Sequence, residues 1–281
     1  MKLDKLLEKK LKNLRDYLVK LESAVVAFSG GVDSTFLLKV ASDVIKDNLI
    51  AVTADSASFP KTELESAKKI ATLLNVKHIV IKTNEMHDKK FVINDNNRCY
   101  HCKNELFKLI SELANKINYK NILDGSNYED INDYRPGMTA AKEWNVLSPL
   151  KETGFKKNDV RILSKEFGLP TWNKPSFACL ASRIPYGTKI TEELLEKIDR
   201  AESVIRSEGF NQVRVRHHGS IARIELAIEN FNKILNHNVK NNIINQLKEL
   251  GYLYVTLDLE GYKTGSINKA IAKNKNKKNK S

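Results

Sequence analysis

Hydrophobic and polar positions follow two rhythms in the first two-thirds of this chain, and the rhythms alternate. Residues 4–20 set Leu7, Leu11, Leu14 and Leu18 at helical spacing among charged neighbours, which predicts an amphipathic helix. A short apolar run at 24–28 follows, then helical period over 33–46. Residues 49–53 read as strand, 61–74 as helix, 78–81 as strand, 104–117 as helix and 121–123 as strand. Apolar runs alternating with amphipathic helices predict an α/β fold, a parallel sheet with helices on both faces. In such sheets ligands gather at the carboxyl ends of the strands. SGGVDS (29–34), TADS (53–56) and DGSN (124–127) all fall at such ends.

The rhythm breaks between Pro170 and Gly187, where three prolines interrupt any apolar period. Beyond it Thr191 is placed to cap a helix reaching to about 208, with Leu194, Ile198, Ala201 and Ile205 along its apolar side. QVRVRHH (212–218) and IARIELA (221–227) read as a hairpin, 241–250 as helix and 252–257 as strand. That is a smaller α+β domain. The expected organisation is a first domain over 1–175 with an N-terminal helix, and a connection over 176–188 carrying the third cysteine. An α+β domain for substrate or oligomer contacts follows over 189–266, then a basic, disordered tail over 267–281.

Composition narrows the function classes. The chain has 281 residues, 41% hydrophobic and 29% charged. It contains no apolar run of about 18 residues, so no membrane span is expected. The charged N-terminus lacks the apolar centre of a signal peptide, and the expected location is cytoplasmic. Net charge is +13, but six of those charges are lysines of the tail KAIAKNKNKKNKS, which has nothing to bury. The rest would suit an anionic small substrate as well as a nucleic acid. Three cysteines, an odd number, argue against a disulfide framework and for metal or redox chemistry.

SGGVDS carries the first chemistry. Two glycines keep side chains away from a ligand, the amides after them form a cup for anions, and the next helix adds its positive end. Ser29 and Ser34 can donate hydroxyl hydrogen bonds to phosphate oxygens. No lysine follows the glycines, so this is not the longer GxxxxGK[ST] loop. RCYHCK carries the second: Cys99 and Cys102 stand three apart, and Cys179 follows in CLASR. Four readings stay open on the residues alone: incidental thiols, a zinc site with a fourth ligand such as His101, an iron–sulfur cluster on three thiolates, or a directly nucleophilic cysteine. Arg98, Lys103 and Arg183 would favour thiolates.

SGGVDS resembles the pyrophosphate loop of the ATP pyrophosphatase, or PP-loop, superfamily. That resemblance implies an adenine-nucleotide α-hydrolase-like domain, ATP as substrate and magnesium as its counter-ion. It implies that Ser29, Gly30, Gly31, Asp33 and Ser34 cradle the phosphates, with Gly125 beside them and Thr53 and Ser56 toward the nucleoside. SGGVDS, TADS, RCYHCK, DGSNYED, DYRPG, CLASR, VRVRHHGSIARIE and YVTLDLEGYKTGS occur in that order. From about 23 to 266 the series resembles LarE, the ATP-dependent sulfur transferases of nickel-pincer nucleotide biosynthesis.

The resemblance implies an enzyme that adenylates a carboxylate of pyridinium-3,5-biscarboxylic acid mononucleotide, releases AMP and leaves a thiocarboxylate. Members with one cysteine, at the position of Cys179, give up its sulfur and keep dehydroalanine there. Cys99 and Cys102 depart from that pattern. Three-cysteine members resemble cluster enzymes, which implies a [4Fe-4S] cluster on Cys99, Cys102 and Cys179, carrying an extra sulfide through repeated turnovers. The sulfide donor is open, and a homo-oligomer is expected.

Arg135, in a turn before Pro136, is a candidate anion contact, and Arg183 is counted with it. Arg214 and Arg216 alternate on one strand, which makes them either an exposed strand face or a clamp for the substrate phosphate. Glu202 and Glu225 match acidic positions of the family. The alternatives are sacrificial transfer from Cys179 or tRNA thiolation by the same superfamily. The single CxxC, with no second one to form a zinc knuckle, argues against tRNA, so no nucleic-acid partner is expected.

Overall fold

The computed structural model describes residues 4–132, 136–175 and 178–263. The chain divides after residue 177 into two compact units. In the first, the elements in order are α1 (Lys5–Val19), β1 (Ala24–Ala27), α2 (Val32–Ile45), β2 (Leu49–Asp55), α3 (Lys61–Leu73) and β3 (Lys77–Lys82). They continue with α4 (Lys89–Val92), α5 (Arg98–Lys116), β4 (Asn121–Leu123), α6 (Pro136–Glu143), α7 (Pro149–Glu152) and α8 (Lys157–Glu166). The strands form one parallel sheet in the order β3-β2-β1-β4.

Strand alternation builds two cores from one sheet. Ala24 and Val26 of β1, with Leu49 and Ala51 of β2, face α1, α2, α3 and α8 and join Leu14, Leu18, Phe36 and Val160. Val25, Ile50 and Val52 face the other way and pack with Phe107 and Ile110 of α5 and Ala140 of α6. Because β2 lies on one side of β1 and β4 on the other, the order reverses at β1. The carboxyl ends of β1 and β4 therefore open at the topological switch point, where open α/β sheets take their ligands.

The second unit comprises α9 (Glu192–Ser207), β5 (Val213–His218), β6 (Ile221–Leu226), α10 (Phe231–Ile234), α11 (His237–Glu249) and β7 (Tyr254–Leu257). β5 pairs antiparallel with β6, and β7 joins β6 in parallel. Thr191 caps α9 by accepting from the amide of Leu194. The buried side of α9 carries Leu195, Ile198, Ala201, Glu202 and Ile205. Leu195 is buried where Leu194 was expected, and Leu194 is half-buried, because the core face of α9 is centred between Ile198 and Glu202 and Leu195 lies nearer that line. The core is completed by Val213, Val215, Ile224, Leu247 and Tyr252.

Candidate active site

Two glycines shape the loop between β1 and α2. Gly30 has φ +66°, and a Cβ there would lie 3.1 Å from the Cα and Cβ of Ala67 on α3. Gly125, after β4, is confined differently: its Cβ would sit 2.9 Å from the backbone nitrogen of Ser34. SGGVDS and DGSN therefore abut at the switch point, and a side chain at either glycine would displace the floor they form.

Gly31 is the N-cap of α2 and no side chain among the described residues caps that end, so the first amides of a 14-residue helix remain for a ligand. The hydroxyls of Ser29 and Ser34 stand 3.1 Å apart across the loop, and the Gly31 amide donates to Ser29 Oγ at 3.4 Å. Asp33 Oδ2 accepts from the ammonium of Lys157, the first residue of α8. Its other oxygen, Oδ1, is buried without a protein partner among the described residues. Lys174 approaches from behind and donates to the carbonyl of Gly30 at 3.0 Å. Amides, two hydroxyls and a half-satisfied carboxylate make a cup for an anion and its counter-cation.

The neighbouring residues brace this cup. Thr53 is buried; its hydroxyl donates to Phe28 O at 2.6 Å and meets His78 Nε2 at 2.8 Å. Burial, then the charge of Lys68, lowers the His78 pKa from its ordinary value. Ser56 is tied to Glu85 and lies 2.9 Å from Ser58 Oγ. Asp124 accepts from Ser126 Oγ at 2.8 Å and from Ser148 Oγ at 2.7 Å, which shapes the DGSN turn. The hydroxyls of Thr53 and Ser56 are thus committed within the protein.

α5 begins at Arg98, earlier than the apolar pattern indicated, so Cys99 and Cys102 stand inside the helix and not before it. Three apart on a helix, they share a face. Cys99 is exposed and Cys102 half-buried. Within each unit, among the described residues, no three His, Cys, Asp or Glu side chains are grouped to hold a metal ion. Arg135 lies outside the described residues.

In the second unit Cys179 is half-buried, directly before a 3₁₀ turn, Leu180–Arg183. Arg183 is buried and spends its guanidinium inside the unit. It donates to Glu202 at 2.8 and 3.0 Å, to Cys179 O at 2.9 Å and to Ala178 O. Arg183 therefore fixes the backbone that carries Cys179. Arg214 and Arg216 are buried, not an exposed strand face. Arg216 donates to Ser182 O at 2.7 Å and to Glu225 at 2.8 Å; Arg214 donates to Val213 O at 2.8 Å and lies 5.3 Å from the centre of the Tyr262 ring.

Burial works hardest against the charge of Glu202, yet Arg183, Arg206 and Arg214 together hold its carboxyl below the ordinary range. Burial, with Arg183 next in weight, pushes Arg214 down to about 10. Glu202 and Tyr262 act against that shift.

Lys157, Lys174, His78 and Glu85 carry no motif of their own and emerge only from the fold.

A glycine loop with helix amides at the switch point of a parallel sheet is the anion-binding arrangement of nucleotide-binding α/β proteins. The pattern of the family described as queuosine biosynthesis protein QueC matches residues 23–183. A Synechocystis protein described as uncharacterized is 44% identical over 95% of this chain and all of its own length. The pyridinium-3,5-bisthiocarboxylic acid mononucleotide synthase of Lactiplantibacillus plantarum is 39% identical over 90% of this chain and 91% of its own. A Methanocaldococcus jannaschii protein, also described as uncharacterized, is 31% identical over 91% of this chain and 96% of its own. The chain belongs to the LarE family of PP-loop sulfur transferases.

Proposed function

We propose that this enzyme converts a carboxylate of pyridinium-3,5-biscarboxylic acid mononucleotide to a thiocarboxylate at the expense of ATP. The observation that carries the reading is the match to the synthase of that bisthiocarboxylic acid, which runs through both units. A carboxylate oxygen of the substrate attacks the α-phosphorus of ATP, and the bond to the β-phosphate breaks to release pyrophosphate. A sulfur nucleophile then adds to the acyl carbon, and AMP leaves with the electron pair of the broken C–O bond.

The residues divide this labour. Ser29, Gly30, Gly31 and Ser34 hold the phosphates by amides and hydroxyls, with Gly125 allowing the close approach. Asp33 Oδ1, buried and unpartnered, fits a magnesium ion, which when bound neutralises the leaving pyrophosphate. Thr53 and Ser56 act from behind, holding the strand ends that face the nucleoside. Arg214 and Arg216 hold the mononucleotide phosphate of the substrate, and Arg135 contributes a further cation. The two guanidinium groups belong to alternate residues of β5 and share one face of the strand, which supports the phosphate role.

Sulfur delivery is assigned to Cys99, Cys102 and Cys179. The helical spacing of the first two fits a shared metal centre, and Arg183 holds the backbone of the third. Cys99, Cys102 and Cys179 would hold a [4Fe-4S] cluster by their thiolates, and that group, when bound, would supply sulfide as the nucleophile.

Anaerobic preparation of C99A, C102A and C179A, with iron and sulfide counted on each, tests this. Every variant is expected to lose iron and to make no more than one thiocarboxylate per chain. Should only C179A matter, and the wild-type chain lose the mass of one hydrogen sulfide per event, Cys179 itself is the sulfur source.

A further inference from the structure

We infer that Lys174 is a positioning residue that sets the direction of the Gly30–Gly31 peptide, and through it the number of amides facing the phosphates. The inference rests on the reading of SGGVDS as the ATP phosphate loop. A trans peptide points its carbonyl and its N–H in opposite directions. Here the Gly30 carbonyl points rearward, where Lys174 Nζ donates to it at 3.0 Å. The Gly31 amide consequently points forward, toward Ser29 Oγ at 3.4 Å, on the side of the cup.

Both flanking residues are glycines, which leave this peptide more rotational freedom than residues with a Cβ would. A rotated peptide would withdraw one donor from the cup and present a carbonyl oxygen to the phosphates instead. Two changes in the same direction, one donor lost and one repulsive acceptor gained, make the orientation matter more than a single hydrogen bond.

The lysine is itself well anchored. Its ammonium pairs with Glu63 Oε2 at 2.7 Å and donates to Ser66 Oγ at 3.3 Å, both on α3. The same helix meets Gly30 through Ala67. Lys174 thus ties the glycine loop to α3 by a charge-assisted bond to a carbonyl that would otherwise be held by nothing stiffer than glycine.

The test uses the full-length protein and inorganic pyrophosphate as a calorimetric probe, beside KM for ATP and kcat for pyrophosphate release. K174M is expected to weaken pyrophosphate binding and raise the ATP KM about tenfold, with kcat within about threefold. K174R, whose fork still reaches the carbonyl, is expected to stay within about threefold of wild type. Lys69 lines the same cavity of about 630 Å³ beside α3. K69M removes an equal charge there and is expected to change affinity less than twofold, which separates orientation from charge. Should K174M not fold, K174R carries the test, and a tenfold loss in it contradicts the inference. Wild-type affinity in K174M, or equal losses in K69M and K174M, overturns the role of Lys174 alone. A wild-type chain that binds neither pyrophosphate nor ATP overturns the phosphate-loop reading, and the inference with it.

Discussion

Asp33 holds two oxygens in different states, one paired with Lys157 and the other buried and unpartnered. A buried acceptor without a partner costs on the order of 1–3 kcal/mol, so a cation there converts a cost into binding. D33A and S34A are expected to slow pyrophosphate release about tenfold or more while leaving the thermal midpoint within a few degrees; normal adenylation in either would contradict the loop assignment. Glu202 is the opposite case, fully buried and fully paired with Arg183, Arg206 and the Val215 amide. E202A strands those arginines and is expected to cost about 3–5 kcal/mol in urea unfolding. SGGVDS announced its own geometry in the sequence, because its function is carried by neighbours in the chain. Lys157 did not, since its partner Asp33 lies 124 residues away and nothing local marks the pairing.

At the scale of elements, α1 lies outside the stretch matched by the QueC pattern but supplies Leu7, Leu11, Leu14 and Leu18 to the core. Leu14 has no exposed surface, and L14A is expected to destabilise by about 2–5 kcal/mol without changing the ATP KM. G125A tests the contact between loops: a Cβ against Ser34 N should raise the ATP KM severalfold, and an unchanged KM would separate DGSN from the site. The alternation of β1, α2, β2, α3 and β3 was legible to within about two residues, because each element buries a face and the periods of 2 and 3.6 differ. The start of α5 was not, since Arg98 to Lys103 are mostly polar residues of mixed burial and show no apolar period. Nor was the buried face of β5, where Arg214 and Arg216 are polar by type but covered by the fold.

For the whole molecule, acid should loosen the fold in two stages of one sign. His78, His217 and His218 all have pKa values lowered chiefly by burial. The unfolded chain therefore binds more protons near pH 6.5, so the stability present above that value is lost as pH falls through the lower folded values. Glu202, held below its ordinary range, adds a second loss further down, as pH falls from about 4.5 through its folded value. Urea midpoints at pH 8, 6 and 5 are expected to descend in that order; a midpoint that rises on acidification would contradict the direction of these shifts. Among the described residues no helix is long and apolar enough to cross a membrane.

The most direct measurement mixes anaerobically prepared protein with ATP, magnesium, inorganic sulfide and pyridinium-3,5-biscarboxylic acid mononucleotide, and counts thiocarboxylate and AMP per chain by mass spectrometry. Equal amounts of the two, exceeding one per chain and absent without the mononucleotide, are predicted. AMP released with no thiocarboxylate formed would contradict the account.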